Sequence, residues 1–422
     1  MVEMKINYTM KNLGSLILFV FVLSFFYSCS RNDDPISEVK NYSHFVSAKE
    51  VKSYSKTDIS AAFSLFANQY PDMASLATHV SSGVKVFYVV YKTKHTNNQE
   101  INVSGLVCIP QGNNEPLTLL SFQNGTNVKH ASAPSKNMLN PEFIFLHAMA
   151  ALGYVILIPD YTGFGASESY FHPYLFKSLF QSTITDFIKA VEEWEHGGDS
   201  GFALNGDLFL TGYSLGGWAS LVTHRYIEQN PISGIKLIGS ACGAGSYNLE
   251  GVQELLFHQT NYVQPFYIPF VIMGYKSVGA LTGNLSLYFA EPYASRLPDL
   301  MTGAYSAGEI NAQLSKNMSE LLSPNMSANY STDSKYDQLR MQLKDNSQDA
   351  WKNSSPIWLY HGTADVHVPF SISEDLYHQF QDLGQTENQV SFTVMQGKDH
   401  ATGVMPMYMD VLNRLELLKS SN

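Results

Sequence analysis

Short unbroken apolar runs alternate along this chain with stretches in which apolar residues recur every three or four positions. "VKVFYVVYKT" and "INVSGLVCIP", divided by the polar turn "KHTNNQE", predict an antiparallel strand pair. Further on, "LTLLSFQNG", "YVILIPD", "DLFLTGYS", "IKLIGSACG", "PIWLYHG" and "VSFTVMQG" read as strands with no polar face. Between them, "PEFIFLHAMAALG" with its terminal Gly153, "TITDFIKAVEEWEHG", the segment from Leu215, and residues 371–383 and 405–418 read as helices. Strands apolar on both sides, alternating with helices, imply a mostly parallel central sheet covered by helices on both faces.

The rhythm breaks between two consecutive core strands, over residues 246–350. The first half of this gap is apolar and aromatic ("VQPFYIPFVIMGYKSVGAL"), and the second half is polar and helix-prone. A stretch of that length is not structureless loop in a compact domain. The expectation is a mainly helical cap packed over the strand ends, with residues 61–245 and 351–422 forming the core.

At the other end, Lys5 and Lys11 precede the apolar run "LGSLILFVFVLSFFYSC". The run is short for a stable membrane span and has the layout of a secretory signal over residues 1–28. Ser28-Cys29 resembles a lipobox, in which Cys29 becomes the lipidated first residue of the mature protein; the other reading is an ordinary signal peptide with an incidental cysteine. Residues 29–60 are then expected to be tether and lead-in. The expectation is an exported chain, either secreted or held at the cell envelope through Cys29.

The formal charge of −11, with no concentrated basic surface, argues against nucleic acid as a partner. Cys108 and Cys242 sit in apolar strand-like contexts and are expected to be buried free thiols, with a bridge between them as the alternative. No His-Glu-x-x-His or other ligand spacing calls for a metal, and no phosphate-cradling glycine loop is present, so no cofactor is expected.

Candidate chemistry centres on "DLFLTGYSLGGWASLV", where Gly212-Tyr213-Ser214-Leu215-Gly216 fits G-x-S-x-G between a strand and a helix. Small residues two before and two after the serine let the chain double back, which pushes the hydroxyl out above the sheet edge. A serine hydroxyl needs an imidazole to take its proton and an acid to orient that imidazole. "PIWLYHGTADVHVPF" offers Asp365 after the next-to-last strand, and "VSFTVMQGKDHATG" offers His400 after the last, 35 positions later. His361 and His367 flank the acid and read as structural; Asp399 adjoins His400 but should face elsewhere. For the oxyanion formed on attack, donors are expected from the Leu215 amide and from the loop Asn124-Gly125-Thr126, with Thr126 as donor, Gly125 allowing close approach and Asn124 as a brace. Asp160-Tyr161-Thr162-Gly163-Phe164-Gly165 reads first as a structural turn, with Tyr161 and Phe164 on the pocket rim as the second reading, and Trp218 reads as packing.

Together, "GYSLGGWAS", "IPDYTGFGAS", "HGTADVHVP" and "GKDHATG" resemble the α/β-hydrolases, and among them the secretory lipases. The resemblance covers most of residues 80–418 and implies an α/β-hydrolase fold, a Ser-Asp-His triad and hydrolysis of small-molecule or lipid carboxylic esters through an acyl-enzyme. The loop before Gly125 departs from it, because Asn124 stands where many relatives carry histidine. Three readings compete: a carbohydrate (acetyl or feruloyl) esterase, a serine peptidase of the prolyl-oligopeptidase type, and a binding protein on a retired hydrolase fold.

Overall fold

The computed structural model describes residues 42–420 apart from 69, 72, 114 and 199. Cys29 and the signal-like run therefore lie outside the described residues. Among the described residues, no helix is long and apolar enough to cross a membrane.

Nine strands form one sheet: β1 (Phe45–Tyr54), β2 (Val84–Lys94), β3 (Glu100–Pro110), β4 (Leu117–Gln123), β5 (Tyr154–Pro159), β6 (Leu204–Tyr213), β7 (Lys236–Gly243), β8 (Ile357–Gly362) and β9 (Val390–Met395). Their order is β1-β2-β3-β5-β4-β6-β7-β8-β9. The first three pair antiparallel, β3 meets β5 antiparallel, and β5 through β9 run parallel. Alternate side chains along one strand enter separate cores. In β6, Leu208 and Leu210 join the cluster under one face, while Phe209 and Tyr213 join the cluster under the other. This is why these strands read as continuous apolar runs.

Helices α1 (Lys56–Ala67), α2 (Met73–His79), α3 (Pro141–Ala150), α4 (Lys177–His196) and α5 (Leu215–Gln229) precede the long gap. The stretch between β7 and β8 holds α6 (Leu249–Phe257), α7 (Tyr267–Ser277), α8 (Tyr293–Leu300), α9 (Ala307–Asn311), α10 (Met318–Leu321), α11 (Pro324–Asn329) and α12 (Asp337–Asn346). Then come α13 (Ser371–Asp382) and α14 (Val404–Ser420). Cys108 and Cys242 are buried and free.

Part of the expected lead-in is core. Residues 45–54 form β1, paired with β2, and α1 begins at Lys56 behind a Ser55–Asp58 capping box. β1 is an edge strand and most of its side chains face solvent, so its apolar signal is thin. Its entry is clamped instead by polar chemistry. The Glu193 carboxylate accepts the His44 and Phe45 amides at 2.8 Å each, and the His44 ring lies 3.0 Å from Glu193 and 3.4 Å from Asp186.

Candidate active site

Consecutive parallel strands lie on opposite sides of β4, because the chain leaves β4 for β5 and then crosses back to β6. A crevice opens at such a reversal, beyond the carboxyl ends of the strands. Ser214 stands there, where β6 ends and α5 begins, with φ 60° and ψ −121°. A residue with a Cβ sits in that region at a cost of about 1–3 kcal/mol, so neighbouring structure must impose it. The Ser214 amide donates to the Gly243 carbonyl at 2.8 Å, and the Ala244 amide donates to the Tyr360 carbonyl at 2.8 Å, tying the bend to β7 and β8. The flanking glycines are a packing requirement: a Cβ at Gly216 would lie 1.9 Å from the Gln123 carbonyl oxygen, and one at Gly212 would lie 2.4 Å from the same atom. The Ser214 hydroxyl caps no amide of α5. Leu215 opens that helix, so its amide has no carbonyl partner within the helix.

Asp365 lies just beyond β8, its side chain inaccessible to solvent. One carboxylate oxygen accepts the His367 and Val368 amides at 2.9 and 3.0 Å. The other accepts His400 Nδ1 at 2.6 Å and faces His361 Nε2 at 3.2 Å. Burial pushes this carboxyl up, but the bonds from His361, His400 and the Val368 amide outweigh it and hold the group well below the usual carboxylate range. His361 Nε2 faces two acceptors, Asp365 and the Val368 carbonyl at 3.0 Å, so it carries the proton, and Nδ1 accepts from the Ser373 hydroxyl at 2.6 Å. His361 is thus the structural histidine the sequence suggests, and it braces the acid.

His400, bonded to Asp365 through Nδ1, keeps its Nε2 lone pair free. Its ring packs edge-on against Tyr213, the residue before Ser214, with centroids 5.4 Å apart. The structure therefore joins acid to base directly and brings the base against the serine's neighbour; the Ser214 hydroxyl forms no hydrogen bond to His400 in this state. Nucleophile–base contacts are commonly loose in unliganded sites. Asp399 turns away, as expected, and accepts the Ala401 and Thr402 amides and the Thr402 hydroxyl. Among the described residues, no group of His, Cys, Asp or Glu is arranged to hold a metal ion.

The loop after β4 is braced as a unit. Asn124 Nδ2 donates to the Pro159 carbonyl at 2.7 Å, Asn127 donates to Asn124 Oδ1 at 3.0 Å, and the Tyr161 hydroxyl donates to the Asn124 carbonyl at 3.1 Å. A Cβ on Gly125 would meet only the Tyr213 carbonyl oxygen, at 3.9 Å, so packing does not demand the glycine and space stays open beside the bend. The Thr126 hydroxyl lies 2.9 Å from the Tyr174 hydroxyl.

Ser214 opens into a narrow cavity of about 80 Å³. Its walls come from the core (Tyr174, Leu175, His367, Val368) and from the inserted helices: Leu249, Val252 and Leu256 on α6, Tyr267, Ile268, Val271 and Ile272 on α7, Leu339 and Leu343 on α12. The wall contains no carboxylate. Tyr161 and Phe164 are absent from it, which corrects their placement on the rim: both are buried, Tyr161 packing on Phe180 and Phe164 on His172. Trp218 is packing, fully buried with its indole N–H on the Asn346 carbonyl.

Residues 143–402 match the family described as "Serine aminopeptidase, S33". The chain belongs to this family. No curated protein matches the sequence. Among solved structures, a Legionella pneumophila protein superposes with a TM-score of 0.77 at 22% identity, covering 88% of this chain and 98% of its own. The rice cell wall degrading esterase LipA from Xanthomonas oryzae gives 0.77 at 22% identity, covering 90% and 99%. Candida antarctica lipase A in its closed state gives 0.63 at 14% identity, covering 86% and 78%. At these identities the likeness establishes the α/β-hydrolase fold.

The sequence did not single out Tyr174, Tyr262 and Tyr267 as cavity residues. His367 was read as structural; it lines the cavity, its ring 5.0 Å from that of His400, and burial together with the His400 charge lowers its pKa. The aromatic richness of the first half of the insertion is the sole signal for Tyr262 and Tyr267, and Tyr174, in the core, has none.

Proposed function

We propose that this chain is a serine carboxylic-ester hydrolase working through an acyl-enzyme. The reading is carried by one observation: the buried Asp365 bonded to a part-exposed His400 at 2.6 Å, beside a serine held on a left-handed bend at the floor of an apolar cavity. Ser214 attacks the ester carbonyl while His400 Nε2 takes its proton, and Asp365 fixes the tautomer and stabilises the imidazolium. The Leu215 amide and the Gly125–Thr126 loop receive the oxyanion. His400 then protonates the leaving alcohol, and water releases the acid by the same steps in reverse. The inserted helices act as a cap that takes the acyl group of a small-molecule or lipid ester. The chemistry needs no cofactor, and Cys29 is the proposed attachment point to the cell envelope.

The family description favours a second reading, an aminopeptidase. That activity must bind a free α-ammonium beside the scissile bond, and an unpaired buried ammonium is costly. The cavity wall presents no carboxylate for it, which favours the ester. p-Nitrophenyl esters of rising chain length, run beside aminoacyl p-nitroanilides, separate the two. Ester turnover, abolished in Ser214→Ala along with fluorophosphonate labelling, is the expected result. Preferred anilide turnover, or ester turnover that survives the substitution, overturns the reading.

A further inference from the structure

The loop after β4 is expected to offer a backbone amide, yet the side chain of Thr126 is the better-organised group. Its hydroxyl lies 2.9 Å from the Tyr174 hydroxyl. Tyr174 comes from the core, just ahead of α4, and Tyr267 from the first turn of α7 in the insertion. The two rings stack with centroids 6.2 Å apart, and Tyr174 also stacks on Phe270 at 4.7 Å. Both tyrosines line the cavity that contains Ser214. A hydroxyl offers one proton and two lone pairs. A phenol is a stronger acid than an aliphatic alcohol, so Tyr174 is the favoured donor in this pair and the Thr126 proton is left for another acceptor. Burial holds the Tyr174 phenol well above its ordinary pKa, so it stays protonated throughout the working range.

We propose that Thr126 is a catalytic residue that donates its side-chain hydroxyl to the oxyanion, with Tyr174 as the positioning residue that aims it and Tyr267 as the ring stacked behind Tyr174. The inference rests on the ester-hydrolase reading and adds two consequences. The oxyanion gains a donor that the G-x-S-x-G motif does not announce. Because Tyr174 stacks on Tyr267 and Phe270 of α7, the aim of that donor also depends on where the inserted helices sit, so a displaced insertion leaves the triad intact and the oxyanion poorly stabilised.

The test uses Thr126→Val, Thr126→Ser, Tyr174→Phe and Tyr267→Phe in the full chain, read by kcat and KM on the best p-nitrophenyl ester and by Ki for an alkyl boronic acid that mimics the tetrahedral oxyanion. Thr126→Val is expected to lower kcat about a hundredfold with KM within threefold, and to weaken the boronate in parallel. Tyr174→Phe should cost about tenfold in kcat, whereas Tyr267→Phe, which keeps the stacked ring, and Thr126→Ser should each stay within threefold of wild type. A merely structural role predicts the reverse split, with lowered thermal midpoints and kcat preserved in the folded fraction. The proposal is overturned if Thr126→Val keeps kcat within threefold, if Thr126→Ser is as impaired as the valine variant, or if boronate affinity does not follow kcat. Should the valine variant fail to fold, the serine variant and Tyr174→Phe decide the same question. Failure of the underlying reading looks different: wild type itself would turn over no ester and Ser214 would take no label.

Discussion

Replacing Asp365 with Asn changes one atom at a point where four donors converge. The oxygen that accepts the His367 and Val368 amides must remain a carbonyl, so the new NH2 lands where the other oxygen meets His400 and His361. An N–H there forces His400 to present a lone pair at Nδ1 and carry its proton on Nε2. The base is then occupied before it meets the serine. In a Ser-His-Asp site this tautomer error costs about 10⁴ in kcat, or about 5.5 kcal/mol of barrier. His361 cannot adapt in the same way, because its Nε2 also faces the Val368 carbonyl at 3.0 Å and needs its proton there. One clash between buried donors therefore persists, at about 1–3 kcal/mol of stability. The sign of the pH dependence follows. The folded carboxyl sits below its unfolded value, so its contribution is complete above about pH 4 and is lost as pH falls from there. Urea unfolding should show wild type ahead of Asp365→Asn at pH 7, with the gap closing between about pH 5 and 2. A folded Asp365→Asn protein retaining more than a tenth of wild-type kcat would refute this account of the acid.

Gly216→Ala pushes a Cβ to within 1.9 Å of the Gln123 carbonyl oxygen, a backbone atom fixed inside the sheet. The expected loss is about 3 kcal/mol or more in urea unfolding; a loss under 1 would show that the bend has slack. At the chain's entry, the bond to Asp186 raises the His44 pKa despite burial, and the bond to Glu193 adds to it. A raised folded pKa stabilises below the unfolded value near 6.5 and fades as pH climbs through the folded one. Amide exchange in β1 should therefore be slower at pH 6 than at pH 8 after correction for intrinsic rates, and His44→Gln should erase the difference. An unchanged difference in that variant would place the pH response elsewhere.

The parallel sheet was legible because its strands are apolar on both faces, and the order of the proposed triad was legible because each member follows a strand within a few residues. "DLFLTGYS" and "PIWLYHG" end at Tyr213 and Gly362, and the chemistry follows within a few residues. β1 was not legible, because a solvated edge strand alternates weakly and owes its position to Glu193, 148 residues away from Phe45. For Tyr161 and Phe164 the first reading, a structural turn, fits their burial, while the second, on the rim, does not. The cavity tyrosines had no signature beyond the aromatic richness of the insertion. Tyr174 becomes meaningful only once folding brings it to Thr126 and stacks it on Tyr267.

The serine's bend is fastened to β7 and β8, and the whole helical insertion is made between those two strands. A ribosome adding about 5–20 residues per second delivers Ser214 well before the strand that buttresses it, and before Asp365 and His400. Until the last stretch docks, the chain carries a plain alcohol with no reason to hold a left-handed backbone. On the proposed chemistry, nascent and unfolded copies are therefore silent, and reactivity at Ser214 arrives only with closure of the final two strands.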